Sequence, residues 1–284
     1  MSNHSVIGIF DSGVGGLSTW RELVYQLPNV ATLYLADQAH VPYGSRPPDE
    51  LCRFAEEITR FLLGHGAQII VIASNTTSAA SLYYLRDHFP DVPFIGTEPA
   101  LKPAIEQTQS GVVGVMATPT TFHGRPFTYL VERYASNVRV LTQVCPGLVE
   151  AVETDALDSP DVEALLRKYL TPLSEAGVDQ LVLGCTHYSF LRSTIEQLVG
   201  VRVAVIDPAP AVARQAVRVL TEQKLDATSM TDPKSYRRHI FYTTGDVAKF
   251  TNSIKRLLPF AAGKSLEVRS IRWKESSLEG CCNQ

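Results

Sequence analysis

The strongest constraint on this chain is a recurring run of short, wholly apolar segments: VIGIF (6–10), IIVIA (69–73), VVGVMA (112–117) and LVLG (181–184). None alternates with polar residues, so each reads as a strand covered on both faces, the habit of parallel sheets. Segments with helical period separate them, which is the grammar of repeated βαβ units. Strands are expected at Val6–Phe10, Thr32–Ala36, Ile69–Ala73, Pro93–Gly96, Val112–Ala117, Val138–Val144, Gln180–Gly184, Arg202–Ile206 and Ile240–Thr243. Helices are expected at Gly16–Leu27, Asp49–Leu63, Thr77–Asp87, Ala100–Gln107, Phe122–Tyr134, Asp161–Glu175, Ser189–Val199, Ala209–Thr221 and Val247–Leu258. Lys224–Arg238 is polar and charged and contains a proline, so it reads as an exposed loop.

Two of these units look alike. An apolar strand, a small residue, Ser or Cys, then Asn or Thr, occurs at Ile69–Thr76 and again at Gln180–His187. Ser74 and Cys185 stand 111 positions apart (185 minus 74). The repetition predicts an α/β fold of two pseudo-symmetric lobes with mainly parallel central sheets. Both residues would then sit at C-terminal strand ends, where open parallel sheets bind ligands. Glu98-Pro99 and Asp207-Pro208 read as the two crossings between lobes, because X-Pro steps are extended and end regular elements. The first lobe is then 1–97 plus 208–284 and the second 98–207, with the active site in the cleft between them.

Composition narrows the function class. The chain has 284 residues, 45% hydrophobic and 19% charged, with a formal net charge of −3. No basic run marks a nucleic-acid or membrane-surface footprint, and no apolar run approaches the roughly 18 residues of a membrane span. The N-terminus lacks the charged-then-apolar order of a signal peptide. Five cysteines (Cys52, Cys145, Cys185, Cys281 and Cys282) form no CxxC pair. That predicts free thiols in a reducing, cytoplasmic setting and no structural metal, with Cys281-Cys282 in a frayed tail.

Four polar turns could carry chemistry. FDSGVGGLS (10–18) closes the first strand with Asp11, Ser12 and three glycines. Its N–H groups suit an anion, while Asp11 suits a substrate ammonium, a proton or simply a helix cap. Pro42-Tyr43-Gly44 is a turn that can also offer N–H groups to a ligand. ATPTT (117–121) ends a strand in hydroxyls, and Thr120 or Thr121 could equally cap the helix expected from Phe122. GCTHY (184–188) is the most reactive: Cys185 sits where helix N–H dipoles favour a thiolate, with His187 two residues on. A buried structural thiol is the competing reading of Cys185, and the other four cysteines have no such neighbourhood.

Taken in order, IGIFDSGVGGLS, VPYGSRP, SNTTSA, GTEPALKPA, GVMATPTT, LVLGCTHYSFL and FYTTGD closely resemble bacterial glutamate racemase, of the cofactor-independent aspartate/glutamate racemase superfamily. The resemblance covers almost the whole chain. It implies two-base proton transfer between L- and D-glutamate with neither cofactor nor metal, supplying D-glutamate for peptidoglycan. One thiolate takes the α-proton while a thiol on the other face returns one. Carried over by position, Cys185 is the second-lobe base acting on L-glutamate, assisted by His187. Asp11 assists the first-lobe base and, with Ser12, contacts substrate. Pro42, Tyr43, Gly44, Asn75, Thr76 and Thr186 bind substrate, and Thr118 and Thr121 line the carboxylate pocket. The acidic residue after the CP step in CPGLVEAVE best matches Glu153, with Glu150 a competitor. Relatives commonly form homodimers, and some bind DNA gyrase.

The departure is Ser74, where the family has its first catalytic cysteine. An alcohol is far less acidic than a thiol, so this face is expected to be crippled for deprotonation, above all of D-glutamate. Three origins fit: an introduced Cys-to-Ser change, a natural variant with one-sided activity, or a weak paralogue kept for binding. A one-cysteine decarboxylase of the same superfamily is the rival enzyme, although the hydroxyl-rich turns suit a carboxylate better than an aryl group.

Overall fold

The computed structural model describes residues 6–154, 156–223, 239–261, 266–275 and 277–280. The loop expected at Lys224–Arg238 and the Cys281-Cys282 tail lie outside the described residues. The strands are β1 Val6–Asp11, β2 Ala31–Ala36, β3 Ile69–Ile72, β4 Phe94–Gly96, β5 Val112–Ala117, β6 Arg139–Val144, β7 Gln180–Gly184, β8 Ala204–Ile206, β9 His239–Thr243, β10 Glu267–Lys274 and β11 Ser277–Gly280. The α-helices are α1 Leu17–Gln26, α2 Pro48–Gly64, α3 Asn75–His88, α4 Leu101–Gln107, α5 Pro119–His123, α6 Arg125–Tyr134, α7 Leu148–Glu153, α8 Pro160–Glu175, α9 Arg192–Val199, α10 Ala209–Glu222 and α11 Val247–Leu257.

The strands form two sheets, ordered β11-β10-β9-β2-β1-β3-β4 and β6-β5-β7-β8. Every pairing is parallel except the β10–β11 hairpin. The run β2-β1-β3-β4 in one sheet and β6-β5-β7-β8 in the other share one order, so β3 corresponds to β7. Ser74 follows β3 and Cys185 follows β7 at matching strand ends.

Burial explains the unbroken apolar runs. Along β1, Ile7 and Ile9 enter one core cluster while Phe10 points into another. Along β7, Leu181 and Leu183 point one way and Val182 the other. A period of two with both faces filled leaves no position for a polar residue. The largest cluster draws from both sheets, joining Ile9 and Trp20 to Leu183 and Tyr188. Truncating any one of these side chains to Ala removes roughly 2–5 kcal/mol, so the site rests on a stiff base.

The structure departs from the sequence reading in four places. The helix expected at Phe122–Tyr134 is two helices, α5 and α6, broken at Gly124. Pro126 has no N–H and fits only the first turn of a helix, so α6 must begin beside it. Thr118, not Thr120 or Thr121, caps α5 by accepting the Thr121 N–H. The segment after Cys185 is a 3₁₀ turn, Thr186–Leu191, before α9 begins. The C-terminal pair β10–β11 and the short α7 have no counterpart in the expected elements. EVRSIRWK, the penultimate strand of the sheet, alternates charged with apolar residues, so it lacks the unbroken apolar run that marked the central strands.

Candidate active site

One cavity of about 190 Å³ gathers residues from both sheets. An engineered cavity of about 150 Å³ holds benzene, so this one has room for a small metabolite. Its walls include Asp11, Ser12, Pro42, Tyr43, Gly44, Ser74, Asn75, Thr76, Thr118, Cys185, Thr186 and His187. Of the residues singled out from sequence, Thr121 and Glu153 do not reach the wall. Thr121 stands behind Thr118, hydroxyl to hydroxyl at 3.0 Å, and Glu153 stands behind His187. Glu150 does line the cavity, together with Val149 and the CP step, Cys145-Pro146. The two acidic residues that competed in sequence thus occupy different places.

On the Cys185 side, Sγ lies 3.8 Å from His187 Nδ1. The ring's other nitrogen, Nε2, donates to Glu153 Oε1 at 2.6 Å, and the two side chains are only 3% and 9% exposed. Glu153 Oε1 also accepts the Val14 N–H at 2.8 Å, and Oε2 accepts from Gln38 at 3.2 Å. Burial alone would raise the Glu153 carboxyl. The His187 ring, its charge and the N–H donors outweigh burial and hold the group below the usual carboxylate range. Burial opposes a charged His187, but the bonds to Cys185 and Glu153 prevail and hold the ring well above its ordinary value. The result is a buried imidazolium beside a thiol, the arrangement that activates cysteine.

On the opposite side Ser74 is the N-cap of α3. Its Oγ accepts the Thr77 N–H at 3.2 Å and the Thr77 hydroxyl at 3.0 Å. Two donors and a helix N-terminus at one atom make this a seat for negative charge. Serine uses the seat to cap a helix. Asp11, 1% exposed, accepts the Gly16 N–H at 2.7 Å. Burial, only partly offset by His187 and the Gly16 N–H, lifts its carboxyl from 3.8 to about 6, so Asp11 can exchange a proton near neutral pH.

The glycine-rich turn serves these groups rather than an external anion. Its Val14 and Gly16 N–H groups bond Glu153 and Asp11, two of the chain's own carboxylates. A Cβ on Gly13 would overlap the Glu153 carboxylate, and one on Gly15 would overlap the His187 ring. Opposite, Thr76 and Thr118 hydroxyls meet at 2.8 Å. Both side-chain polar atoms of Asn75 are buried with no partner among the described residues. Buried amides are rarely left so, and this one stands in the cavity wall. Tyr43 donates to Asp37 at 2.6 Å, which ties the Pro42–Gly44 lip to β2. Cys145 was read as lacking a reactive neighbourhood. It lies in the cavity wall and its charge couples to that of Cys185, but burial pushes its thiol well up. Gln38 carried no local signal, because its partners Glu153 and Thr243 are distant in sequence. Among the described residues no cluster of three or more His, Cys, Asp or Glu could hold a metal ion, and no helix is long and apolar enough to cross a membrane.

The profile of the Asp/Glu/hydantoin racemase family matches residues 7–216. A curated glutamate racemase from Roseiflexus sp. is 47% identical over 260 residues, covering 90% of this chain and 94% of that one. The chain belongs to the glutamate racemase family. Solved members share the fold. A glutamate racemase isoform of Bacillus anthracis superposes with a TM-score of 0.83 at 31% identity, covering 97% of this chain and 99% of its own. The Francisella tularensis glutamate racemase, solved in complex with D-glutamate, gives 0.78 at 28% identity, covering 94% and 98%. The family match contains every cavity residue from Asp11 to His187.

Proposed function

We propose that this chain is a glutamate racemase in which Cys185 works as the second-lobe, L-face base and Ser74 occupies the place of the first-lobe base. The observation that carries this reading is the pair of matching strand ends. Cys185, backed by His187 and Glu153, and Ser74, backed by the α3 N-terminus, line one cavity. Cys185 as thiolate takes the α-proton of L-glutamate, leaving a carbanion conjugated with the α-carboxylate. Asn75, Thr76, Thr118 and Thr186 supply the hydrogen bonds that this developing charge requires, with Thr121 behind Thr118. Ser12 and the Pro42-Tyr43-Gly44 lip close the pocket, and Asp11 serves the Ser74 side. A serine hydroxyl is too weak an acid and base to complete the transfer at neutral pH. The carbanion is therefore reprotonated by Cys185 itself.

In this reading the parent scaffold supplies D-glutamate for peptidoglycan in the cytoplasm as a homodimer. Its proposed lobes are 1–97 plus 208–284 and 98–207. DNA gyrase is a second partner to probe, because a site damaged for turnover can still support binding. In D2O, L-glutamate should gain α-deuterium without becoming D-glutamate, and D-glutamate should stay unlabelled. Absence of label from both enantiomers, in a folded protein, overturns the reading.

A further inference from the structure

The geometry points to Gln38 as a positioning residue that keeps the Glu153–His187 pair ionised and so keeps Cys185 competent. Gln38 lies just beyond β2, in the lobe opposite Glu153, and no local motif marks it. Its amide has a fixed polarity. The Gly245 N–H donates to Thr243 Oγ1 at 2.9 Å, and the Thr243 hydroxyl donates to Gln38 Oε1 at 2.8 Å. Gln38 Nε2 then faces Glu153 Oε2 at 3.2 Å. Flipping the amide would set an oxygen against an ionised carboxylate. A chain of oriented hydrogen bonds therefore runs from β9 through Gln38 and Glu153 to His187 and ends at Cys185.

The consequence is electrostatic. Glu153 accepts from Val14, Gln38 and His187, and three donors hold a buried carboxylate in its charged form. The titratable groups that face it are Asp11 from β1, His187 from the segment after β7 and the Tyr34 hydroxyl from β2, while Cys185 stands on the far side of the His187 ring. Of these only His187 shares a proton with it. Without the Gln38 donor the charged form of Glu153 is held less firmly, His187 keeps its proton less tightly, and the cation beside the thiolate is weakened. The catalytic consequence rests on the racemase reading; the effect on the thiol does not.

Alkylation of Cys185 by iodoacetamide tests this, followed by peptide mass spectrometry from about pH 5 to about pH 10 on the full chain. A hydrogen bond to a charged group is worth about tenfold or more in an equilibrium. Gln38→Met should therefore move the alkylation inflection up by about one pH unit. Gln38→Glu, which keeps the size but sets carboxylate against carboxylate, should move it at least as far, and it carries the test where Gln38→Met does not fold. Deuterium exchange into L-glutamate at neutral pH should fall about tenfold in both. The inference is overturned when both Gln38 profiles superimpose on the parent's while Glu153→Gln shifts its own. Shifted inflections in a protein whose parent exchanges no deuterium would support the inference and sink the racemase reading instead.

Discussion

Replacing Asp11 with asparagine separates what the cavity needs from what the fold tolerates. The carboxyl is 1% exposed and titrates near 6 in place of 3.8, chiefly because burial penalises its charge. A gap of about two units at about 1.4 kcal/mol each makes ionised Asp11 cost on the order of 3 kcal/mol of folding free energy. Because the folded state binds this proton more tightly than the unfolded chain, the cost is absent well below pH 4. It grows as pH rises from about 4 to about 6 and is complete above that. Asparagine fills the same space and can still accept the Gly16 N–H, so it escapes the charge term alone. Urea denaturation at about pH 8 should find Asp11→Asn more stable by about 2–3 kcal/mol, with the advantage shrinking to below about 1 kcal/mol near pH 4. A stability difference that is the same at both pH values, or a less stable variant at pH 8, refutes the assignment of that strain to buried charge. Because Asp11 serves the Ser74 side, Asp11→Asn should leave exchange into L-glutamate near the parent level but slow racemisation when combined with Ser74→Cys, marking Asp11 as a group held against stability for function.

Two further substitutions test the packing around the site. Gly15→Ala places a methyl against the His187 ring; it should cost about 1–3 kcal/mol by thermal or urea unfolding and slow exchange from L-glutamate disproportionately. Ser74→Ala removes the acceptor for the Thr77 N–H and hydroxyl. It should lose about 1 kcal/mol of stability while leaving L-side deuterium exchange close to the parent level.

Much of this was legible from residue types, and the exceptions have physical reasons. β1, β3, β5 and β7 are covered on both faces, so their composition alone declared them. The turns after them hold Asp11, Ser74, Thr118 and Cys185, polar residues at the ends of apolar strands, which is why the cavity wall could be anticipated. Glu153 and Gln38 were harder because their bond joins positions 115 apart, the turn after β2 and the end of helix α7. The glycine turn was read as an anion cradle, and its N–H groups do bind anions. Nothing in FDSGVGGLS says that those anions are Asp11 and Glu153. Trp273 reaches Asp37 from β10 within a strand whose charged alternation resembles a surface segment. That strand lies near the end of the sheet, beside the edge strand β11, where one face meets solvent, so it lacks the unbroken apolar run of the central strands.

In the proposed mechanism Ser74 and Cys185 are the two ends of one proton-transfer path, with Ser74 standing where a thiol belongs. Ser74→Cys tests it most directly, with interconversion of L- and D-glutamate followed by optical rotation and α-deuterium incorporation by NMR. A thiol at that position would sit under the Thr77 N–H and hydroxyl at the head of α3, a seat that favours its thiolate. The variant should racemise glutamate from both enantiomers, while the Ser74 chain labels L-glutamate alone. A folded Ser74→Cys protein that still labels only one enantiomer, or neither, would contradict the paired-station account.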